Sequence, residues 1–171
     1  LVKKKYFKNK IQIILLMFRL KIKKKIVDNA LDLMTQLFPL NRSLTGKDNL
    51  KTLYILKKFL KKIRIIKFKS GTKIFDWIIP KEWNVEDAFI IDPQNKKICD
   101  FKKNNLHLVG YSQPKSTSMS FKKLKNHLYF LNKLPNAIPY ITSYYDKSWG
   151  FCLSKNHYKK LKAGNYKVYI K

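Results

Sequence analysis

The chain has 171 residues, 45% of them hydrophobic and 14% aromatic, and carries 38 Lys+Arg against 10 Asp+Glu for a formal net charge of +28. That is enough apolar material for one packed domain and rules out wholesale disorder. The longest nearly unbroken apolar run, residues 11–18, is far shorter than the ~20 residues that span a bilayer. Cys99 and Cys152 form no CxxC and are too few for a disulfide framework, so a reduced, cytoplasmic setting is expected.

The charge is almost entirely lysine, with arginine only at Arg19, Arg42 and Arg64. Surfaces that read bases or clamp phosphates lean on arginine, whose planar fork bonds them bidentately. Lys, Ile, Asn, Phe and Tyr make up 87 of the 171 residues, the set that A/T-rich codons specify. Much of the charge therefore reads as nucleotide bias on solvated positions. A basic module for nucleic acid or an anionic membrane surface is the rival function, and steep salt dependence would mark it.

Residues 1–25 hold ten basic residues and no acid. This leader imitates a signal peptide but offers no small-residue cleavage site after its apolar stretch, and reads as a basic extension. From residue 26 to 37 the apolar positions Ile26, Ala30, Leu33, Met34 and Leu37 recur at helical spacing, and Pro39 closes the segment. The loop Asn41-Arg42-Ser43-Leu44-Thr45-Gly46 leads to a second helical pattern over 48–62. A helical hairpin is expected across 26–62.

The period then changes from 3.6 to 2. Strands are expected at 63–68, at 73–79 after a Ser70-Gly71 turn, at 88–91 and 97–101 around an Asp92-Pro93 turn, and at 107–111. Residues 114–120 read as a polar linker, and 121–131 as a helix capped by Ser120. Residues 140–145 and 149–153 read as a hairpin, Ser154 as the cap of a short helix, and 166–170 as a last edge strand, which suggests a fold that continues past Lys171. The expected class is α+β: an N-terminal helical hairpin followed by a mostly antiparallel β-rich domain with one or two helices, over 63–171.

Reactive constellations are sparse. His107, His127 and His157 fall twenty to thirty residues apart with no HExxH, HxD or CxxC, so no metal site is expected from this chain. Cys152 and His157 could form a nucleophilic pair, but a buried strand cysteine beside a surface histidine is the plainer reading. The acids Asp76, Glu82, Glu86, Asp87, Asp92 and Asp100 fit surface ion pairs and turn bonds better than a general acid/base pair. The loop at 41–46 presents hydroxyls, amides and Arg42 at a helix start, which suits either an anionic group or plain N-capping.

Five strings in order carry a resemblance. They are Leu37-Phe38-Pro39-Leu40-Asn41-Arg42-Ser43-Leu44-Thr45-Gly46; Ser70-Gly71-Thr72-Lys73-Ile74-Phe75-Asp76-Trp77 with Ile79-Pro80-Lys81-Glu82-Trp83-Asn84; Asp100-Phe101-Lys102-Lys103-Asn104-Asn105-Leu106-His107; Ile138-Pro139-Tyr140 with Thr142-Ser143-Tyr144-Tyr145; and Trp149-Gly150-Phe151-Cys152-Leu153-Ser154. Over residues 30–171 the chain resembles the N-terminal part of the bacterial aminopeptidase-like family. Its members resemble di-zinc exopeptidases of the aminopeptidase/transferrin-receptor type and carry an inserted β-rich domain of unknown function. The resemblance implies that 26–62 opens a peptidase-like domain and that 63–171 is the inserted domain. It further implies zinc-dependent hydrolysis of a peptide-like substrate in a full-length relative, with the metal ligands in sequence that follows the inserted domain. No position of this chain inherits a metal or catalytic role, no cofactor is expected on it, and a separately encoded peptidase C-terminal part is a partner the resemblance allows. The substrate-facing candidates, chosen by motif density, are Arg42, Ser43, Thr45, Tyr144, Tyr145 and Trp149.

Overall fold

The computed structural model describes the backbone of residues 2–60, 62–144 and 146–171, and side chains from Met17 onward. It divides into two compact units, Leu1–Pro39 and Leu40–Lys171. The first is one helix, α1, Val2–Leu37. The helix does not begin at residue 26, as the apolar spacing predicts, because nothing stops it earlier. There is no Gly or Pro before Pro39, and Lys, Leu, Met, Gln and Arg are good helix formers. Ile22, Ile26, Val27, Leu31 and Met34 are all exposed on it.

The second unit opens with helix α2, Lys47–Phe59. The expected strand at 63–68 does not form. Its alternation is real, with Ile63 and Ile65 half-buried and Arg64 exposed, but the segment pairs with no other strand among the described residues. The expected strand at 73–79 is instead a small hairpin, β1 Lys73–Ile74 and β2 Trp77–Ile78, reversed at Phe75 and Asp76.

The structural centre is a four-stranded antiparallel sheet in the order β4-β3-β8-β5, with β3 Ala88–Ile91, β4 Lys97–Ile98, β5 Lys115–Ser120 and β8 Asn165–Ile170. The β3–β4 turn follows the Asp92 expectation. Asp92 Oδ1 accepts from the amides of Gln94 at 2.9 Å and Lys96 at 2.8 Å, and Asn95 takes φ 60°. Two strand expectations are corrected. Residues 114–120 are not a linker but the edge strand β5, polar because one long side and one face meet water. β8 is not an edge, since it pairs with β3 and β5 on its two sides.

One face of this sheet supplies Ala88, Ile90, Ile98, Tyr166, Val168 and Ile170 to the core, joined by Leu108, Leu124, Leu128, Phe151 and Leu153. Phe151 and Leu153 are fully buried. The expected helix 121–131 shrinks to α3, Phe121–Leu124, and a single 3-10 turn. Leu128 is drawn into the core by β6, Leu128–Tyr129, which pairs in parallel with β7, Phe151–Cys152. Among the described residues the hairpin expected from 140–145 and 149–153 does not form, and residues 107–111 contribute isolated bridges, Leu108 to Phe151 and Gly110 to Thr142. Ser154 does cap α4, Lys155–Tyr158, its Oγ accepting from His157 N at 3.1 Å. The class is α+β, with helices leading and an antiparallel sheet following. No described helix is long and apolar enough to cross a membrane.

Candidate functional site

The loop at 41–46 is held by bonds that leave little for an anion. Asn41 N donates to Asp48 Oδ2 at 2.8 Å, Arg42 N to Leu40 O, and Ser43 N to Asn41 O. Ser43 Oγ donates to Thr45 O at 2.6 Å, and Asn49 Nδ2 donates to Ser43 O. The start of α2 is capped from a distance, as Lys47 N donates to Asn84 Oδ1 at 2.8 Å. Neither reading of the loop is met: its own hydroxyls do not cap the helix, and the Asp48 carboxylate faces the amide of Asn41. Gly46 is required here, since its φ is 138° and a Cβ would lie 2.6 Å from the backbone oxygen of Trp83.

Tyr111 ties this loop to the β-rich part. Its hydroxyl accepts from Thr45 N at 3.3 Å and lies 3.4 Å from Thr45 Oγ1, which also reaches Lys81 O at 3.1 Å. The Tyr111 ring stacks on Trp83 at 5.4 Å between centroids and meets Tyr144 edge-on at 5.8 Å. Trp83 Nε1 donates to Ser112 O at 3.1 Å. Tyr111 and Tyr144 both take left-handed backbone, φ 66° and 50°, a rare state for bulky side chains that the surrounding bonds must hold. Those bonds include Ser143 N to Gly110 O at 3.0 Å and Tyr144 N to Thr142 Oγ1 at 3.2 Å.

Ser112, nearly fully buried, extends the network: Oγ donates to Val109 O at 2.7 Å and accepts from Gly150 N at 3.2 Å. Beside it Trp149 stacks on His127, ring centroids 3.7 Å apart and 13° from parallel, with Lys115 Nζ 6.0 Å from the indole.

Of the sequence candidates, Thr45 and Tyr144 are brought together through Tyr111. Ser43 braces the loop from within, Arg42 is exposed, Trp149 sits in the neighbouring His127 stack, and Tyr145 lies outside the described residues. Sequence reasoning missed the hub itself. Trp83 and Tyr111 lie within segments singled out in the sequence, but a tyrosine in left-handed backbone has no sequence signal. The cavity between the loop and Trp83, lined by Asn41, Asp48 and Asn84 among others, has about 30 Å³, room for one water. Ligand pockets are roughly ten times larger or more. The arrangement is a rigid joint of hydroxyls and aromatic rings.

The groups that bind metals or act as nucleophiles are engaged elsewhere. His107 Nδ1 lies 2.7 Å from Cys152 O and His127 Nδ1 lies 3.1 Å from Trp149 O. Burial, with smaller contributions from His107, Lys96 and Lys160, pulls His157 down. Burial pushes the thiols of Cys99 and Cys152 up to about 12, which keeps them protonated and inert. Three of the acids form ion pairs, Lys102 to Asp87 at 3.0 Å, Lys97 to the buried Asp100 at 3.2 Å and, at the surface, Lys171 to Glu86 at 2.8 Å, while Asp92 makes turn bonds. Among the described residues no three His, Cys, Asp or Glu gather where they could hold a metal, so these residues do not fit the zinc that the resemblance implies.

From Leu40 onward the chain is a small α+β domain in which Tyr111 bonds the loop before α2. The chain belongs to the family described as a domain of unknown function, DUF2172, which matches residues 82–171. It is also 42% identical over 139 residues to a Clostridium acetobutylicum protein named for polysaccharide biosynthesis and an aminopeptidase-like domain, covering 81% of this chain and 32% of that one. A solved structure from C. acetobutylicum, named as a peptidase, matches with a TM-score of 0.79 and 42% identity over 82% of this chain and 33% of that chain. The chain thus spans about a third of the length of the curated relative it matches. It resembles part of an aminopeptidase-like protein.

Proposed function

We propose that the chain is the non-catalytic part of an aminopeptidase-like protein, in which metal-dependent hydrolysis of a peptide-like bond is carried by sequence outside the matched third. The observation that carries this reading is the 42% identity, with a TM-score of 0.79, to one third of a chain named as a peptidase. In this reading the Thr45–Tyr111–Tyr144 joint fixes helix α2 against the β-rich domain. Arg42, Ser43, Thr45, Tyr144, Tyr145 and Trp149 stay the candidates of this chain for facing the substrate of the complete protein, on motif density.

The test uses the C. acetobutylicum relative. Its hydrolysis of aminoacyl amides is measured with and without a chelator, in the intact protein and in a version whose matched third is replaced by residues 40–171 of this chain. Chelator-sensitive hydrolysis by both supports the reading. Hydrolysis by the present chain alone, sensitive to chelator, would overturn it.

A further inference from the structure

The hairpin at residues 70–79 puts an aromatic ring where folding alone gives no reason for one. Phe75 at its tip is 93% exposed and takes left-handed backbone, φ 54°. Both features disfavour phenylalanine: the ring stays in water, and a bulky side chain is strained at positive φ. Asn, Asp or Gly would serve the turn better. Trp77 and Ile78 after the tip, and Ile66 and Phe68 before the hairpin, are exposed as well, whereas Ile79 alone at its base is buried.

The hairpin itself is well held. Gly71 N donates to Ile79 O at 2.8 Å and Ile79 N to Thr72 O at 3.0 Å, so the tip is presented on a braced stem. An exposed aromatic on a rigid support is the form of an interface anchor, since such residues carry a large share of binding energy once desolvated in a partner pocket. The flanks are basic, with Lys67, Lys69 and Lys73 against Asp76.

We propose that this hairpin is a docking prong, with Phe75 as its anchor, that seats in an apolar pocket rimmed by carboxylates on the aminopeptidase-like part of such proteins. The inference rests on the proposed function. The occupant follows from lengths: about two thirds of the relative's own length lies outside the match, and any 139-residue match to a 171-residue chain includes residues 66–79. A prong exposed in this chain therefore has a counterpart in a protein that supplies the missing surface.

The experiment is amide hydrogen exchange on this chain and on the intact C. acetobutylicum relative, read in the segment 70–79 and its aligned counterpart. The expected result is exchange at least about ten-fold slower in the relative, with β3 and β8 slow in both. A relative carrying residues 70–79 of this chain should keep that protection, and lose it on Phe75→Ser. In the present chain Phe75→Ser should leave the melting temperature within about 2 °C of the parent or above it. Equal exchange in the two unmodified proteins overturns the proposal. So does a dimer of the present chain that Phe75→Ser dissolves, which would make a second copy the occupant. A protected hairpin in a relative without chelator-sensitive hydrolysis would sink the assigned activity and leave the docking intact; a free hairpin in an active relative would do the reverse.

Discussion

The hydroxyl of Tyr111 meets the backbone amide of Thr45 at 3.3 Å across 66 residues of sequence, joining the loop before α2 to the β-rich domain. Without that hydroxyl the Thr45 amide loses the acceptor it has in the structure. Tyr111→Phe should therefore cost about 0.5–1.5 kcal/mol, one net hydrogen bond, while keeping the Trp83 stack. Tyr111→Ala should cost more, because it also removes the ring that Trp83 and Tyr144 pack against. Urea unfolding of the two variants checks the order.

Ser112 is the polar atom most deeply placed in the joint. Ser112→Ala strands the buried amide of Gly150 and leaves the carbonyl of Val109 with the Ser112 amide alone, for an expected loss of about 1–3 kcal/mol in the same assay. A change near zero would mean that the strand carrying Phe151 is positioned by packing alone.

Gly46→Ala combines a left-handed φ with a Cβ 2.6 Å from a backbone oxygen, which no side-chain rotation relieves. The expected outcome is displacement of the Thr45 loop, seen as loss of the Thr45–Tyr111 contact in nitrogen–proton correlation spectra, with β3 and β8 signals unmoved. Such strain is worth on the order of 1–3 kcal/mol.

The cysteines give a pH prediction. Both thiols are raised from 9.0 to about 12 by burial. Their contribution to stability is complete below pH 9, where folded and unfolded thiols alike are protonated. It falls as pH rises from 9 toward 12, because only the unfolded chain loses protons there. Thiol labelling at pH 8 should find neither cysteine reactive until the chain unfolds, and a fast-reacting Cys152 would contradict the burial.

Much of this was legible in the residues. The Asp92 turn and the Ser154 cap follow from local rules, because their bonds lie within a few residues, and β3 and the last strand follow from their alternating apolar pattern although their partners are distant in sequence. The α+β class follows from the change of period after α2. What escaped reading was set by long-range pairing: β5 is a strand because β8 lies beside it, not because its serines favour one, and 121–131 breaks early because β7 recruits Leu128. The loop at 41–46 drew attention for its hydroxyls, yet its partner Tyr111 and its remote cap Asn84 could be found only in three dimensions.

In the proposed function, metal-dependent peptide hydrolysis belongs to the part of the relative that this chain does not match. Zinc titration of the purified chain by calorimetry, paired with an aminoacyl amide assay, tests it directly. No stoichiometric high-affinity zinc binding and no hydrolysis above background are expected. One zinc bound per chain together with chelator-sensitive turnover would contradict it.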